Sequence, residues 1–321
     1  MIGSNNRAST FTQFVAEARG FSETVGEYSQ LAQAKIHESL DKYLSFKFKK
    51  RFTNYSEDIV IDDAHTQVSQ EAARDFPISE IIVQFRVVAL KSSAYQNRSG
   101  WYLSNYDKYR LRKTGRGKLN IIIQCKIILP YEGLNADRDL AIANIREVMN
   151  HELTHAYNDY KDPNFMKGYR GALLHSEVEK YDFLRDSSGM KNFLRLIYTL
   201  SDSEIMAQLG EAPSYDSKEE LYQTDAYRNA TMGREFTADE YFDVISAELA
   251  NHKFSEYITN NFGEFFVDLY KKVSRKRSIV VDPKILNLKK SAGLLEVLQF
   301  FEPYLRAQGE VLWRKLVKKI N

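Results

Sequence analysis

Strand-forming residues are concentrated in residues 54–129, and helical patterns lie before and after this region. Three segments within it, EDIVIDD, ISEIIVQFRVVAL and KLNIIIQCKIIL, are rich in β-branched residues and bounded by turn-forming residues, which predicts strands. In residues 11–52 apolar side chains recur every three or four positions, a helical spacing, and we expect Gly20 and Gly26 to divide this region into two helices. The order of helices, sheet and further helices predicts an α+β fold.

The chain is expected to contain four regions. These are an N-terminal helical region at residues 1–52, a sheet-containing subdomain at 53–133, a group of helices at 134–211 and a C-terminal helical subdomain at 212–321. The last segment, FFEPYLRAQGEVLWRKLVKKIN, is a basic amphipathic helix whose apolar side is formed by Leu305, Leu312, Leu316 and Ile320. That side could bind a partner or a membrane surface, but Trp313 near it favours docking on the protein itself.

The composition is that of a globular protein, with 321 residues, 43% hydrophobic and 27% charged. No apolar run approaches the roughly 18 residues that span a bilayer, so no transmembrane segment is predicted. The N-terminus has no apolar stretch followed by a small-residue cleavage site, and Cys125 is the single cysteine, so we expect a cytoplasmic protein with a core thiol. Basic clusters such as RLRKTGRGK come with no nucleic-acid-binding motif and favour solvated loops. Nothing in the sequence predicts an oligomeric state.

The stretch HELTHAYNDY, residues 151–160, lies in a segment with helical periodicity that should run from about Asp137 to Tyr160, before Pro163. At about 100° per residue, His155 lies about 40° from His151, so both imidazoles share one face. The apolar residues fall between about 120° and 200° from His151. They are Ile142, Ile145, Met149, Leu153, Ala156 and Tyr160. The helix can therefore pack on a core while presenting both histidines elsewhere.

Two neutral imidazoles four residues apart on a helix can bind one zinc ion, and the adjacent Glu152 can take a proton from zinc-bound water. The stretch HELTHAYNDY resembles the active-site helix of the zincin metallopeptidases, and HELTHA followed by Asp-Tyr is similar to the thermolysin type. This resemblance implies a zincin-like mixed sheet, one catalytic Zn²⁺ held by His151 and His155, and Glu152 as the catalytic base. It spans residues 151–160 alone.

A catalytic zinc normally takes three protein ligands and leaves a position for water. The metzincin pattern HExxHxxGxxH does not fit, because Asn158 and Lys161 stand where it requires Gly and His. Asp159 and His175 remain candidates for the third ligand. Gluzincins place a glutamate on a later helix, which favours Glu204 in YTLSDSEIMAQLG.

The segment around Glu204 is also similar to a YLSxSEIxA pattern of putative peptidases encoded by bacteriophages, from which Thr199 and Met206 depart. This likeness implies a setting in the host cytoplasm or the virion. An alternative use of Glu204 needs no metal, since Ser201 and Glu204 together form a capping box at a helix start.

The oxyanion of a tetrahedral intermediate needs a hydrogen-bond donor, for which His175 and Tyr198 are the candidates. Asn144, Glu147 and Asp159 could orient the imidazoles. In zincins an edge strand pairs with the extended substrate, and we expect KLNIIIQCKIIL or ISEIIVQFRVVAL to be that strand.

The expected function is therefore a gluzincin-like zinc metallopeptidase acting on a peptide or protein substrate. The first alternative is a zincin-fold structural or binding protein, such as a phage virion component, that holds metal without turnover. A second alternative is a nucleic-acid-associated protein that uses the basic clusters, which the absence of a motif disfavours.

Overall fold

The computed structural model describes residues 6–50, 54–90, 98–103, 119–130, 135–161, 187–211, 218–252, 255–277, 288 and 291–318. The chain divides into two compact units, Met1–Pro163 and Asn164–Asn321. The finer boundaries of the four regions expected from the sequence stay predictions. The mixture of helices with one small mixed sheet confirms the α+β class.

The first unit contains α1 (Asn6–Lys50), β1 (Asn54–Asp62), a 3-10 turn (Ala64–Thr66), α2 (Gln70–Asp75), β2 (Ile78–Leu90), β3 (Arg98–Leu103), β4 (Leu119–Pro130) and α3 (Asn135–Lys161). The described strands form one sheet in the order β1-β2-β4-β3. β1 and β2 are antiparallel, β2 and β4 are parallel, and β4 and β3 are antiparallel. The three predicted strands are confirmed as β1, β2 and β4, and β3 was not predicted.

Helix α1 is continuous, so the expected break at Gly20 and Gly26 is wrong. A glycine inside a helix costs roughly 1 kcal/mol relative to alanine but does not end it, because its backbone can still donate and accept. The buried positions continue across Gly26 from Val25 to Tyr28 and Ile36. Tertiary packing of this apolar side therefore outweighs the local cost of the glycines.

One face of the sheet is buried under helices. Its core residues include Ile81, Val83, Phe85, Ile121, Ile123, Cys125 and Ile127, all within one hydrophobic cluster with residues of α1 and α3. Helix α3 packs on β3, β4 and α1. The strands expected to lie at the sheet edge, β2 and β4, are the inner strands, so that expectation is wrong. These inner strands are mostly apolar, whereas the outer described strands β1 and β3 are more polar.

The second unit contains α4 (Ser188–Thr199), α5 (Asp202–Glu211), α6 (Lys218–Tyr222), α7 (Asp225–Arg234), α8 (Ala238–Leu249), α9 (Ser255–Arg277) and α10 (Leu294–Val317). Leu305, Leu312 and Leu316 of α10 are fully buried, which confirms docking of this amphipathic helix on its own protein. Ile320 lies outside the described residues. Among the described helices, none combines the length and apolarity needed to cross a bilayer.

Candidate metal centre

Helix α3 carries two kinds of buried side chain. Its apolar side is confirmed, with Ile145, Met149 and Leu153 fully buried against the sheet and α1. Five polar side chains of the helix are also buried: Asn144, Glu152, Thr154, His155 and Asp159. Burying polar groups is costly unless they have partners. The concentration of such groups on one helix therefore marks this stretch as a candidate site.

The C-terminal end of α3 is held by a carboxylate on α2. Asp75 accepts hydrogen bonds from the Tyr157 hydroxyl at 2.7 Å and from Thr24 of α1 at 3.1 Å, and it pairs with Lys161. Burial raises the pKa of Asp75, but the hydrogen bonds from Lys161, Tyr157 and Thr24 and the charge of Lys161 outweigh it and hold that pKa below its usual value. The turn after the histidines is thus fixed to two other helices of the same unit.

The two histidines face each other through the same ring atom. Nε2 of His155 lies 3.0 Å from Nε2 of His151, and the ring centroids are 4.6 Å apart at an interplanar angle of 80°. His155 is buried and His151 is half-buried. A neutral imidazole pair can form a hydrogen bond with this geometry, and the same arrangement points both nitrogens at a common ligand. The sequence-based expectation that the two imidazoles share one face is confirmed.

Glu204 completes a group that could hold a metal ion. One ligand atom from each of His151, His155 and Glu204 lies within 4.8 Å of the other two. Glu204 is buried, at 6% exposure. Within the described part of the chain, Asp159 does not join this group. His175, the other candidate for the third ligand and a candidate oxyanion donor, lies outside the described residues.

Helix α5, which carries Glu204, is stabilised by hydrogen bonds of the buried Gln208 amide. The Gln208 amide donates to the backbone carbonyls of Thr199 at 2.6 Å and Glu204 at 3.2 Å. The Asn229 amide of α7 in turn donates to the Gln208 oxygen at 2.9 Å. At the start of α5 the Ser201 carbonyl accepts the N–H of residue 205 at 2.9 Å. These bonds fix the turn on which Glu204 lies, since each buried amide would be costly to leave unpaired.

Glu152 lies against the sheet at strands β3 and β4. An ideal Cβ built at Gly100 of β3 would be 2.5 Å from Oε1 of Glu152 and 2.7 Å from Val148 Cγ1. Gly100 pairs with Cys125 of β4, whose thiol is fully buried. Burial, and secondarily the charge of Glu152, raises the pKa of the Cys125 thiol, as expected for a core cysteine. The Glu152 carboxylate is thus close to the strand backbone.

Four further residues predicted for the site lie on α3 and α4, and their roles stay predictions. Tyr198 is half-buried in the last turn of α4, and its part as oxyanion donor stays a prediction. Asn144 and Asp159 are buried on α3, and Glu147 is half-buried there. Sequence reasoning missed Gly100, because the short segment RSGWYL was not recognised as a strand. The run of aromatic residues after Gly100 was the signal that could have identified it.

No protein-family model matches the chain, and no curated protein or solved structure is significantly similar to it. The resemblance of residues 151–160 to the zincin helix stays local.

Proposed function

We propose that this protein is a zinc-dependent metallopeptidase of gluzincin type, with His151, His155 and Glu204 as zinc ligands and Glu152 as general base. The observation that carries the proposal is the grouping of the three ligand atoms within 4.8 Å of one another. The buried Glu152, next to His151 in the chain, supplies the further group that a hydrolase needs beyond a metal site.

The distances support zinc as the ion. Two nitrogens that each lie about 2.0–2.1 Å from a tetrahedral zinc are about 3.3 Å apart. The observed Nε2–Nε2 distance is 3.0 Å, which requires a small adjustment of the rings. The carboxylate oxygen of Glu204 lies within 4.8 Å of both nitrogens, so binding the same ion would require a change of its side-chain rotamer. Two imidazoles with one carboxylate are a donor set typical of catalytic zinc, which leaves the fourth position for water.

A zinc ion bound there would polarise the scissile carbonyl and lower the pKa of its water ligand towards about 7. Glu152 would accept the proton from the attacking water and pass it to the leaving amine. Its burial, at 5% exposure, limits its contact with bulk water. Tyr198 and His175 are the proposed donors to the oxyanion.

An extended peptide would be oriented by β3, the outer strand of the described sheet. Gly100 of β3 lies against Glu152, so a peptide paired with the outer side of this strand would run close to the general base. The inner strands β2 and β4 are already paired on both sides and have no such free edge. In this role β3 takes the place of KLNIIIQCKIIL and ISEIIVQFRVVAL, the two segments from which the substrate-pairing strand was expected.

The test is zinc stoichiometry and affinity for wild type, His151→Ala and Glu204→Ala, with His65→Ala and Glu240→Ala as matched controls. We expect about one zinc per chain in wild type and both controls. Loss of a ligand should weaken zinc binding more than the roughly 10–100-fold typical of supporting residues. Unchanged zinc affinity in Glu204→Ala would remove Glu204 from the site.

Cleavage is tested separately with Glu152→Gln on a broad peptide library. This variant should keep zinc and lose hydrolysis, because an amide cannot accept the proton from water. If wild type and Glu152→Gln bind zinc equally and are equally inert, the protein holds metal without turnover. Such a result would favour the structural or binding role, for which the metal group itself is the supporting observation.

A further inference from the structure

Gly100 is the point at which the backbone of β3 comes close to the side chain of Glu152. A Cβ at this position would lie 2.5 Å from Oε1 and 2.8 Å from Cγ of Glu152, and 2.7 Å from Cγ1 of Val148. Ordinary van der Waals contact begins at 3.4 Å. No side chain therefore fits at position 100 while Glu152 keeps its position.

The backbone conformation does not explain why position 100 is a glycine. The φ angle of Gly100 is not in the left-handed region, so an L-residue could adopt the same backbone. A glycine within a strand weakens it, since it contributes no side chain to packing and loses more entropy on folding. The atoms that would clash with a side chain here are chiefly those of Glu152, so the need for glycine comes from the carboxylate.

On the side that faces the sheet, Gly100 and its neighbours enclose the Glu152 side chain. Gly100 pairs with Cys125 in an antiparallel register, so both positions point towards α3. Cys125 is fully buried, and Val148 lies one turn before Glu152 on the helix. On the helix, Val148 and Glu152 lie at about 60° and 100° from His151, between the histidine face and the core face.

We propose that Gly100 is a positioning residue for Glu152: its missing side chain leaves the space that the Glu152 carboxylate occupies against β3, one residue along α3 from His151. The catalytic consequence rests on the proposed function, but the steric relation between the two residues does not. A methyl group at position 100 would displace the carboxylate, while His151, His155 and Glu204 would keep their positions.

The steric relation is tested by thermal unfolding of Gly100→Ala in two backgrounds, wild type and Glu152→Ala. We expect Gly100→Ala to lower Tm in wild type and to lower it less in Glu152→Ala, which lacks both clashing atoms of residue 152. Gly26→Ala is the matched control, because a Cβ there would meet no atom within 4 Å. Equal shifts of Tm in the two backgrounds would overturn the proposal.

The positioning role is tested by zinc affinity and by the separation of kcat from KM on the best-cleaved library peptide. Gly100→Ala should keep zinc affinity and KM and should lower kcat between about tenfold and 100-fold, the effect of a misplaced catalytic group. In Glu152→Asp, whose carboxylate is shorter by one methylene, the same substitution should lower kcat much less. A merely weakened strand would lower activity equally in both backgrounds, and that result would overturn the positioning role.

The two proposals fail in different ways. If wild type cleaves no peptide, the proposed function fails, and the Tm comparison still decides whether Gly100 makes room for Glu152. If wild type cleaves peptides but Gly100→Ala is as active as Gly26→Ala, the proposed function stands and the role of Gly100 is refuted.

Discussion

Replacing Gly309 with alanine is expected to destabilise the second unit, because the backbones of α7 and α10 are in contact where they cross. An ideal Cβ at Gly309 would lie 2.5 Å from the backbone nitrogen of Arg234, 2.7 Å from the carbonyl carbon of Gly233 and 2.9 Å from the Ala230 oxygen. All three atoms belong to the backbone of α7, so no change of rotamer can relieve the overlap. The helices themselves must separate.

The expected loss in the free energy of unfolding follows from these distances. The shortest of them is about 0.9 Å below the 3.4 Å at which ordinary contact begins, so the two helices must part by nearly that amount. Overpacking of a core costs about 1–3 kcal/mol, and a backbone clash belongs at the upper end of that range. The gain in helix propensity from glycine to alanine returns up to about 1 kcal/mol. We therefore expect a net loss of about 2 kcal/mol in the free energy of unfolding.

The measurement is urea denaturation followed by circular dichroism, with Gly26→Ala as the comparison. A Cβ at Gly26 meets nothing within 4 Å, so this variant should gain up to about 1 kcal/mol from propensity alone. Trp313 provides a local probe, since its ring lies 5.1 Å from that of Tyr227 and 4.3 Å from the guanidinium of Arg234 on α7. A Trp101→Phe background isolates its fluorescence. Equal stabilities of Gly309→Ala and Gly26→Ala would refute the reasoning.

Three further predictions concern single side chains. Asp75→Asn should cost about 1–2 kcal/mol at pH 7. The partners of Asp75 hold its pKa below the ordinary value despite burial. The difference in unfolding free energy between wild type and Asp75→Asn should therefore shrink as the pH falls below about 4. A pH-independent difference in urea titrations would contradict this. Asn229→Leu should cost about 1–3 kcal/mol, because the buried Gln208 oxygen loses its donor, and a neutral change in urea denaturation would contradict this. Cys125 should react with a thiol reagent only on unfolding, whereas rapid labelling of the native protein would contradict its burial and raised pKa.

The pattern of apolar residues predicted helices and strands best in long segments, where the same pattern continues over many residues. β2 and β4 carry runs of β-branched residues, and α3 repeats its apolar residues at helical spacing, so each was recognisable from local sequence. The common direction of His151 and His155 followed from the helix geometry alone. Such features depend on neighbours in the chain, which the sequence displays directly.

The order of strands and the third metal ligand depend on contacts distant in sequence. Nothing in β3 itself indicated that it would be an outer strand beside α3, and Gly26 looked like a helix break until its surroundings were known. The sequence favoured Glu204 as the third ligand, but the capping-box pattern of Ser201 and Glu204 left a role as helix cap open. Its proximity to the histidines is a result of tertiary packing, and no local pattern specifies such a distance.

The arrangement of residues around the axis of α3 explains why the metal motif depends on the fold. Core residues lie at about 120–200° from His151, the residues against Gly100 at about 60–100°, and the histidines at about 0–40°. These sectors adjoin, so a turn of the helix by one residue, about 100°, would move His155 into the core sector, place His151 in the sector that faces Gly100 and move Glu152 away from β3. The apolar positions that fix the rotation of α3 against the sheet therefore also fix the direction of the ligands. For this reason the buried stripe, with Met149 and Leu153 at its centre, is as necessary to the candidate site as the histidines themselves.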